Sequence, residues 1–125
     1  KGEIRFGVVH SLDGYDEISL TDYFKVMMPD REKIYTPEIL NFNRLKESDL
    51  YGGDTPEDAA HIFDAVLMNT ATQAQRNCVI INAAFAIQVI CPEKKIEVCI
   101  AEATESLESG KAKENFDKFV AINKK

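Results

Sequence analysis

The sequence predicts an α/β fold in which about three strands, one buried strand plus a hairpin, precede about four helices. Three observations predict it. Segments rich in β-formers, separated by turn signals, fill the first half. Apolar residues at helical spacing fill the second half. One helical stretch, Thr72 to Ile90, is apolar nearly all round, which is the pattern of a helix buried between other elements.

The elements follow in order. Ile4 to Val9 is short and poor in polar alternation, so it reads as a buried, parallel strand. Thr21 to Met28 and Glu32 to Leu40 flank Pro29-Asp30-Arg31 and read as a hairpin. Pro37 belongs at a strand end or an edge, because it has no N–H to give a ladder.

Gly52-Gly53-Asp54-Thr55-Pro56-Glu57 then opens a helix. The glycines permit a tight turn, Asp54 or Thr55 can cap, and Pro56 suits the first turn. Ala59, Ala60, Phe63, Val66 and Leu67 recur at helical spacing, and Asn69 is a plausible stop. In the second helix Cys78, Ile81, Phe85 and Val89 share one face, and Pro92 ends it. A third helix covers Lys94 to Ser109 and closes at Gly110. A fourth carries Ala112, Phe116, Phe119 and Val120. Three strands offer four helices little sheet to cover. With the strand-like start so close to Lys1-Gly2-Glu3, this suggests part of a larger sheet.

Bulk properties narrow the function. The 125 residues are enough for one domain, 1–125, with one core. A net charge of −6 argues against a phosphate-backbone binder, so no nucleic-acid partner is expected. No stretch is apolar and long enough to span a bilayer, so no membrane partner is expected either. Cys78, Cys91 and Cys99 are odd in number and fit no zinc spacing. They read as reduced, mostly buried thiols of a cytoplasmic protein.

Chemistry concentrates in His10-Ser11-Leu12-Asp13-Gly14-Tyr15-Asp16-Glu17, directly after the first strand. Ligands in open α/β sheets bind beyond the carboxyl ends of strands. Three carboxylates within five residues suit a hard cation such as Mg2+, which takes one or two carboxylates and keeps other positions for water or phosphate. The plain alternative is a solvated acidic turn. Gly52-Gly53-Asp54 is either an anion-binding helix start or simply a capped one. His10 has no triad partner in view and reads as a packed or hydrogen-bonding residue. Asn82, in the apolar helix, needs a hydrogen-bond partner and reads as a tie from helix to backbone. Arg76 reads as half of a surface ion pair.

Three segments carry a resemblance. They are Val8-Val9-His10-Ser11-Leu12-Asp13-Gly14-Tyr15-Asp16-Glu17-Ile18-Ser19, then Tyr51-Gly52-Gly53-Asp54-Thr55-Pro56-Glu57-Asp58-Ala59-Ala60, then Val79-Ile80-Ile81-Asn82-Ala83-Ala84. In this order and at these distances the chain resembles the C-terminal third of the anthranilate phosphoribosyltransferase family. The resemblance implies part of a nucleoside phosphorylase/phosphoribosyltransferase-type catalytic domain in a tryptophan-biosynthesis glycosyltransferase. The parent enzyme would move phosphoribose from phosphoribosyl pyrophosphate to anthranilate. Its Asp-Glu pair, matching Asp16 and Glu17, would bind Mg2+ and leave Asp13 to shape the loop. Its phosphate-binding loop, its anthranilate-contacting region and the helical domain of its homodimer interface would lie outside these residues. The chain alone is therefore expected to be inactive, with no catalytic residue of its own assigned. A related phosphorylase-like paralogue and a non-catalytic interaction module that keeps the fold are the alternatives. Two positions depart from the family's usual pattern: Ser11 stands where glycine is usual, and Asp58 where asparagine is. Ser11 is expected to narrow the loop's backbone freedom, and Asp58 to change a hydrogen bond at the helix start.

Overall fold

The computed structural model describes residues 4–124, so the Lys1-Gly2-Glu3 lead-in lies outside the described residues. In chain order it forms β1 (Val8–Ser11), β2 (Phe24–Met28), β3 (Arg31–Tyr35), α1 (Pro56–Leu67), α2 (Gln73–Ile90), α3 (Ile96–Glu108) and α4 (Lys111–Asn123). Two short 3-10 turns, Glu38–Leu40 and Glu47–Leu50, join the strands to the helices. The expected α/β order of three strands followed by four helices is borne out.

The sheet is a meander in the order β1-β2-β3, antiparallel throughout. This corrects the reading of the first strand. It is not a buried parallel strand over Ile4 to Val9 but a mostly exposed antiparallel edge over Val8–Ser11. The register explains the exposure. Val9 faces Val26 and Ser11 faces Phe24 on the inner side, and alternation sends Val8 and His10 outward. β3 stops at Tyr35 rather than Leu40. Beyond it Pro37 has no N–H for a ladder, and the chain tightens into the turn Glu38–Leu40.

The inner face meets α2 through three rings. Phe24 stacks on Tyr35 with centroids 5.5 Å apart, and Phe85 meets them edge-on at 6.0 and 5.2 Å. Such pairs add stabilisation beyond the area they bury. α2 also packs on α3, and α4 packs on α3 and reaches α1 through Phe116 against Phe63. The all-round apolar α2 is covered on two sides, burying Ile80, Ile81, Ala84 and Phe85, but Val79 and Ile90 remain exposed.

Helix ends follow local chemistry. Of the two candidate caps for α1, Thr55 is the cap: its hydroxyl accepts from the Asp58 N–H at 3.1 Å. Thr72 and Gln75 form a reciprocal capping box on α2. Gly110 takes φ 86° between α3 and α4, a conformation that favours glycine.

Candidate functional site: the acidic loop after β1

The loop from Leu12 to Tyr23 is held by its backbone and leaves its acidic side chains outside. At its mouth the Leu12 N–H donates to the Tyr23 carbonyl at 2.9 Å, and the Ser11 N–H donates to Tyr15 O at 3.1 Å. Gly14, at φ 111°, makes the turn between them. Further on, Ile18, Ser19 and Leu20 are buried, and Leu20 adopts a left-handed φ of 63° that non-glycine residues seldom hold. The chain accepts that conformation because Leu20 fills the core and its carbonyl takes the Leu45 N–H at 2.9 Å.

Asn82 anchors this segment from α2. Its Oδ1 accepts from the Ile18 N–H at 3.0 Å, and its Nδ2 donates to the Ile18 carbonyl and the Cys78 carbonyl, both at 2.8 Å. The tie expected of Asn82 is therefore present, and it ends on the residue next to Glu17. Cys78, one turn before Asn82, donates its thiol hydrogen to Ser19 O at 3.1 Å. Burial, and after it the Glu17 carboxylate, pushes that thiol up to about 11, so it stays protonated at neutral pH.

Hydroxyls complete the loop's interior. Ser11 Oγ donates to Glu17 O at 2.8 Å and accepts from the Ser19 N–H at 3.1 Å. Ser19 Oγ and Thr21 Oγ1 lie 2.6 Å apart, and the Thr21 hydroxyl donates to Asp13 Oδ2. Asp13 is thus engaged within the loop. Asp16 and Glu17 are not: both are exposed, and their carboxylates make no hydrogen bond or ion pair among the described residues. Glu17 borders an open groove of about 540 Å³ with Tyr15, Leu50, Cys78, Val79 and Asn82. Burial, then the Glu47 carboxylate, raises the Tyr15 phenol above its ordinary range.

The donor set can be tested against a divalent cation. Among the described residues no group of three or more His, Cys, Asp or Glu side chains converges on one point. The described side chains therefore form no His, Cys and carboxylate cage of the structural zinc type. Two adjacent, unengaged carboxylates fit Mg2+, which binds through one or two carboxylates and completes its octahedron with water and phosphate oxygens.

The other flagged residues separate from this site. The Gly52-Gly53 turn closes on itself, with the Asp54 N–H donating to Asp58 Oδ2 at 3.1 Å and the Tyr51 hydroxyl to Asp54. Asp58 thus accepts a hydrogen bond at the helix start through Oδ2. Acidic Glu57 and Asp58 in the first turn of α1 oppose an anion there, leaving the plain capped start. The His10 imidazole is exposed and makes no hydrogen bond among the described residues, contrary to the packed or bonded role expected. Arg76 pairs with Glu108 at 2.9 Å. The three cysteines are free, as expected, but only Cys99 is buried, Cys78 and Cys91 being half-buried. No helix among the described residues is long and apolar enough to cross a membrane.

Sequence reasoning expects Ser11 to narrow the loop's backbone freedom but misses the means, its hydroxyl's bonds to Glu17 O and the Ser19 N–H. The signal was a hydroxyl at the end of a strand and just before an acidic loop.

Comparison with known proteins gives a consistent result. Residues 3–113 match the family model described as glycosyl transferase family, a/b domain. The anthranilate phosphoribosyltransferase of Bacteroides fragilis strain YCH46 is 72% identical over 119 residues, 95% of this chain and 36% of that protein. That of Bacteroides thetaiotaomicron is 62% identical over 125 residues, 100% of this chain and 38% of that protein. The chain therefore spans little more than a third of the length of these relatives. Among solved structures, anthranilate phosphoribosyltransferase from Thermus thermophilus superposes with TM-score 0.80 at 26% identity, covering 94% of this chain and 35% of that one. The Saccharomyces cerevisiae enzyme in complex with PRPP and Mg superposes with TM-score 0.82 at 19% identity, covering 94% and 34%, and shares the fold.

Proposed function

The chain belongs to the glycosyl transferase family, a/b domain, and from that premise we propose that it is the C-terminal part of the large α/β domain of an anthranilate phosphoribosyltransferase. In this reading the whole enzyme transfers phosphoribose from phosphoribosyl pyrophosphate to anthranilate in tryptophan biosynthesis. It works in the cytoplasm as a homodimer, paired through a helical domain that is not among these residues.

The part played by this chain is to present Asp16 and Glu17 to Mg2+. One observation carries that role: these two carboxylates are unengaged while the backbone behind them is tied into the core through Asn82 and Ser11. A bound Mg2+ would offset the charge of the pyrophosphate and so stabilise it as a leaving group. The chain's own residues hold the carboxylates apart from internal donors. The Cys78 thiol beside them is engaged with the Ser19 carbonyl at 3.1 Å. An acidic surface, net −6, would otherwise repel a polyphosphate substrate, and the cation resolves that repulsion.

The test is direct. Mn2+ or Mg2+ titrated into the 125-residue chain should bind, and Asp16→Asn with Glu17→Gln should abolish that binding while the fold persists by circular dichroism. Equal affinity in the double variant removes the metal role. The chain by itself is proposed to be inactive, because it supplies metal ligands and no phosphate cradle. Phosphoribosyl anthranilate formed by it from the two substrates and Mg2+ would overturn that.

A second reading, a non-catalytic interaction module, has one observation in its favour. Exposed Ile4 and Phe6 open on a groove of about 380 Å³ with Met28, Val89 and Pro92. Sedimentation separates the two, since a strictly monomeric chain removes this one.

A further inference from the structure

We propose that Ser11 is a positioning residue for the acidic loop, its hydroxyl fixing the backbone at Glu17 so that the Glu17 carboxylate is presented to the cation. The inference rests on the metal reading of Asp16 and Glu17 above.

Ser11 is fully buried, although it ends an otherwise exposed edge strand. Its Oγ lies at the centre of the loop. It donates to Glu17 O at 2.8 Å, accepts from the Ser19 N–H at 3.1 Å, and lies 3.0 Å from Ser19 Oγ. The two backbone groups flank Ile18, whose own N–H and C=O are held by Asn82. The segment from Glu17 O to Ser19 N is therefore gripped from two sides, by β1 and by α2.

Proton counting sharpens the assignment. Ser11, Ser19 and Thr21 own three hydroxyl hydrogens, and four contacts ask for one: Ser11 to Glu17 O, Ser11 to Ser19, Ser19 to Thr21, and Thr21 to Asp13. The Asp13 carboxylate can only accept, so Thr21 donates to it. Ser19 then donates to Thr21, and the Ser11 hydrogen is left to the Glu17 carbonyl, which has no other donor in the loop. Ser11 is thus the single hydroxyl whose hydrogen acts on the ligand residue itself. Glycine or alanine at this position would have no such group. The backbone here does not call for glycine either, because Ser11 is not among the residues with positive φ.

A ligand whose backbone is fixed loses less conformational entropy when it binds, and groups behind metal ligands commonly set affinity in this way. The experiment uses the 125-residue chain, Mn2+ as the probe, and amide hydrogen exchange of Ser19 read by NMR. Ser11→Ala keeps the volume of the site and removes only the hydroxyl. It should speed Ser19 exchange in the metal-free chain and weaken Mn2+ binding by about tenfold. Ser19→Ala removes an equally buried hydroxyl but leaves both Ser11 bonds to the backbone. Its Mn2+ affinity should stay within about twofold of the parent chain. Unchanged Mn2+ affinity in Ser11→Ala overturns the proposal. So does an equal loss in both variants, which would mean general loosening. Failure of the metal reading would look different: the parent chain itself would bind no Mn2+, or would bind it equally well without the Asp16 and Glu17 carboxylates.

Discussion

The acidic loop and the glycine turn before α1 look alike in the sequence, since both join small residues to carboxylates, yet they are built in opposite ways. The glycine turn is closed by near neighbours: Thr55 with Asp58, Asp54 with Asp58, Tyr51 with Asp54. It uses up its polar groups on itself. The acidic loop is closed by distant residues, with Asn82 lying 64 positions from Ile18, and it leaves Asp16 and Glu17 unengaged. A turn that engages its acids internally is finished as structure. A loop that is anchored through its backbone and keeps two of its three acids free is prepared for a partner outside itself.

The largest effect should come from cutting the distant anchor. Asn82→Ala leaves the buried Ile18 N–H and C=O without partners, at about 1–3 kcal/mol for each group. Urea denaturation should show a lower midpoint, and amide exchange should show the Ile18–Leu20 segment opening first. If stability holds and the segment stays protected, the loop is not held from α2 and the contrast with the glycine turn fails.

On the other side, Gly53→Ala strikes the locally closed turn. Gly53 has φ 89°, and an added methyl would run into Asp58 Cβ. Left-handed backbone at a residue with a Cβ costs about 1–2 kcal/mol before that collision. The loss should appear in the melting temperature, while Mn2+ affinity at the acidic loop stays where it was. Thr55→Ala should cost less, about 1 kcal/mol for a lost cap, again without touching metal affinity. A fall in Mn2+ affinity in either variant would mean that the two regions are coupled.

How much of this is legible in the sequence follows from the same division. The start of α1 can be read because caps and Pro56 act within one turn. The cap at Thr72 is equally local. The family, too, is legible from three short segments in register, and the relatives bear it out. The strands read less well. Sequence pattern places β1 too early and makes it buried and parallel, because its extent is set by pairing with Phe24–Met27 rather than by its own residues. It makes β3 five residues too long, for want of weight on Pro37. In the loop, the need of Asn82 for a partner is visible, but its address at Ile18 is not. Ser11 shows only as a departure from glycine. No local pattern announces that one hydroxyl will meet both Glu17 O and Ser19 N.

The smallest effect tests the comparison most finely. Asp16 and Glu17 follow Asp13 in one short acidic loop, in a chain already at −6. Neither carboxylate has an internal partner to lose among the described residues. Asp16→Asn with Glu17→Gln should therefore leave the metal-free fold unharmed, and relief of like-charge repulsion should raise its stability by up to about 0.5 kcal/mol. The gain should shrink in about 1 M salt, where the Debye length falls to about 3 Å. The corresponding change in the turn, Asp58→Ala, removes an acceptor used by Asp54 and should lower stability at any salt concentration. Melting curves at low and high salt read both. A salt-insensitive loss in the acidic pair would show that those carboxylates are structural. They would then belong with the glycine turn, and the case for a site at the end of β1 would lose its footing.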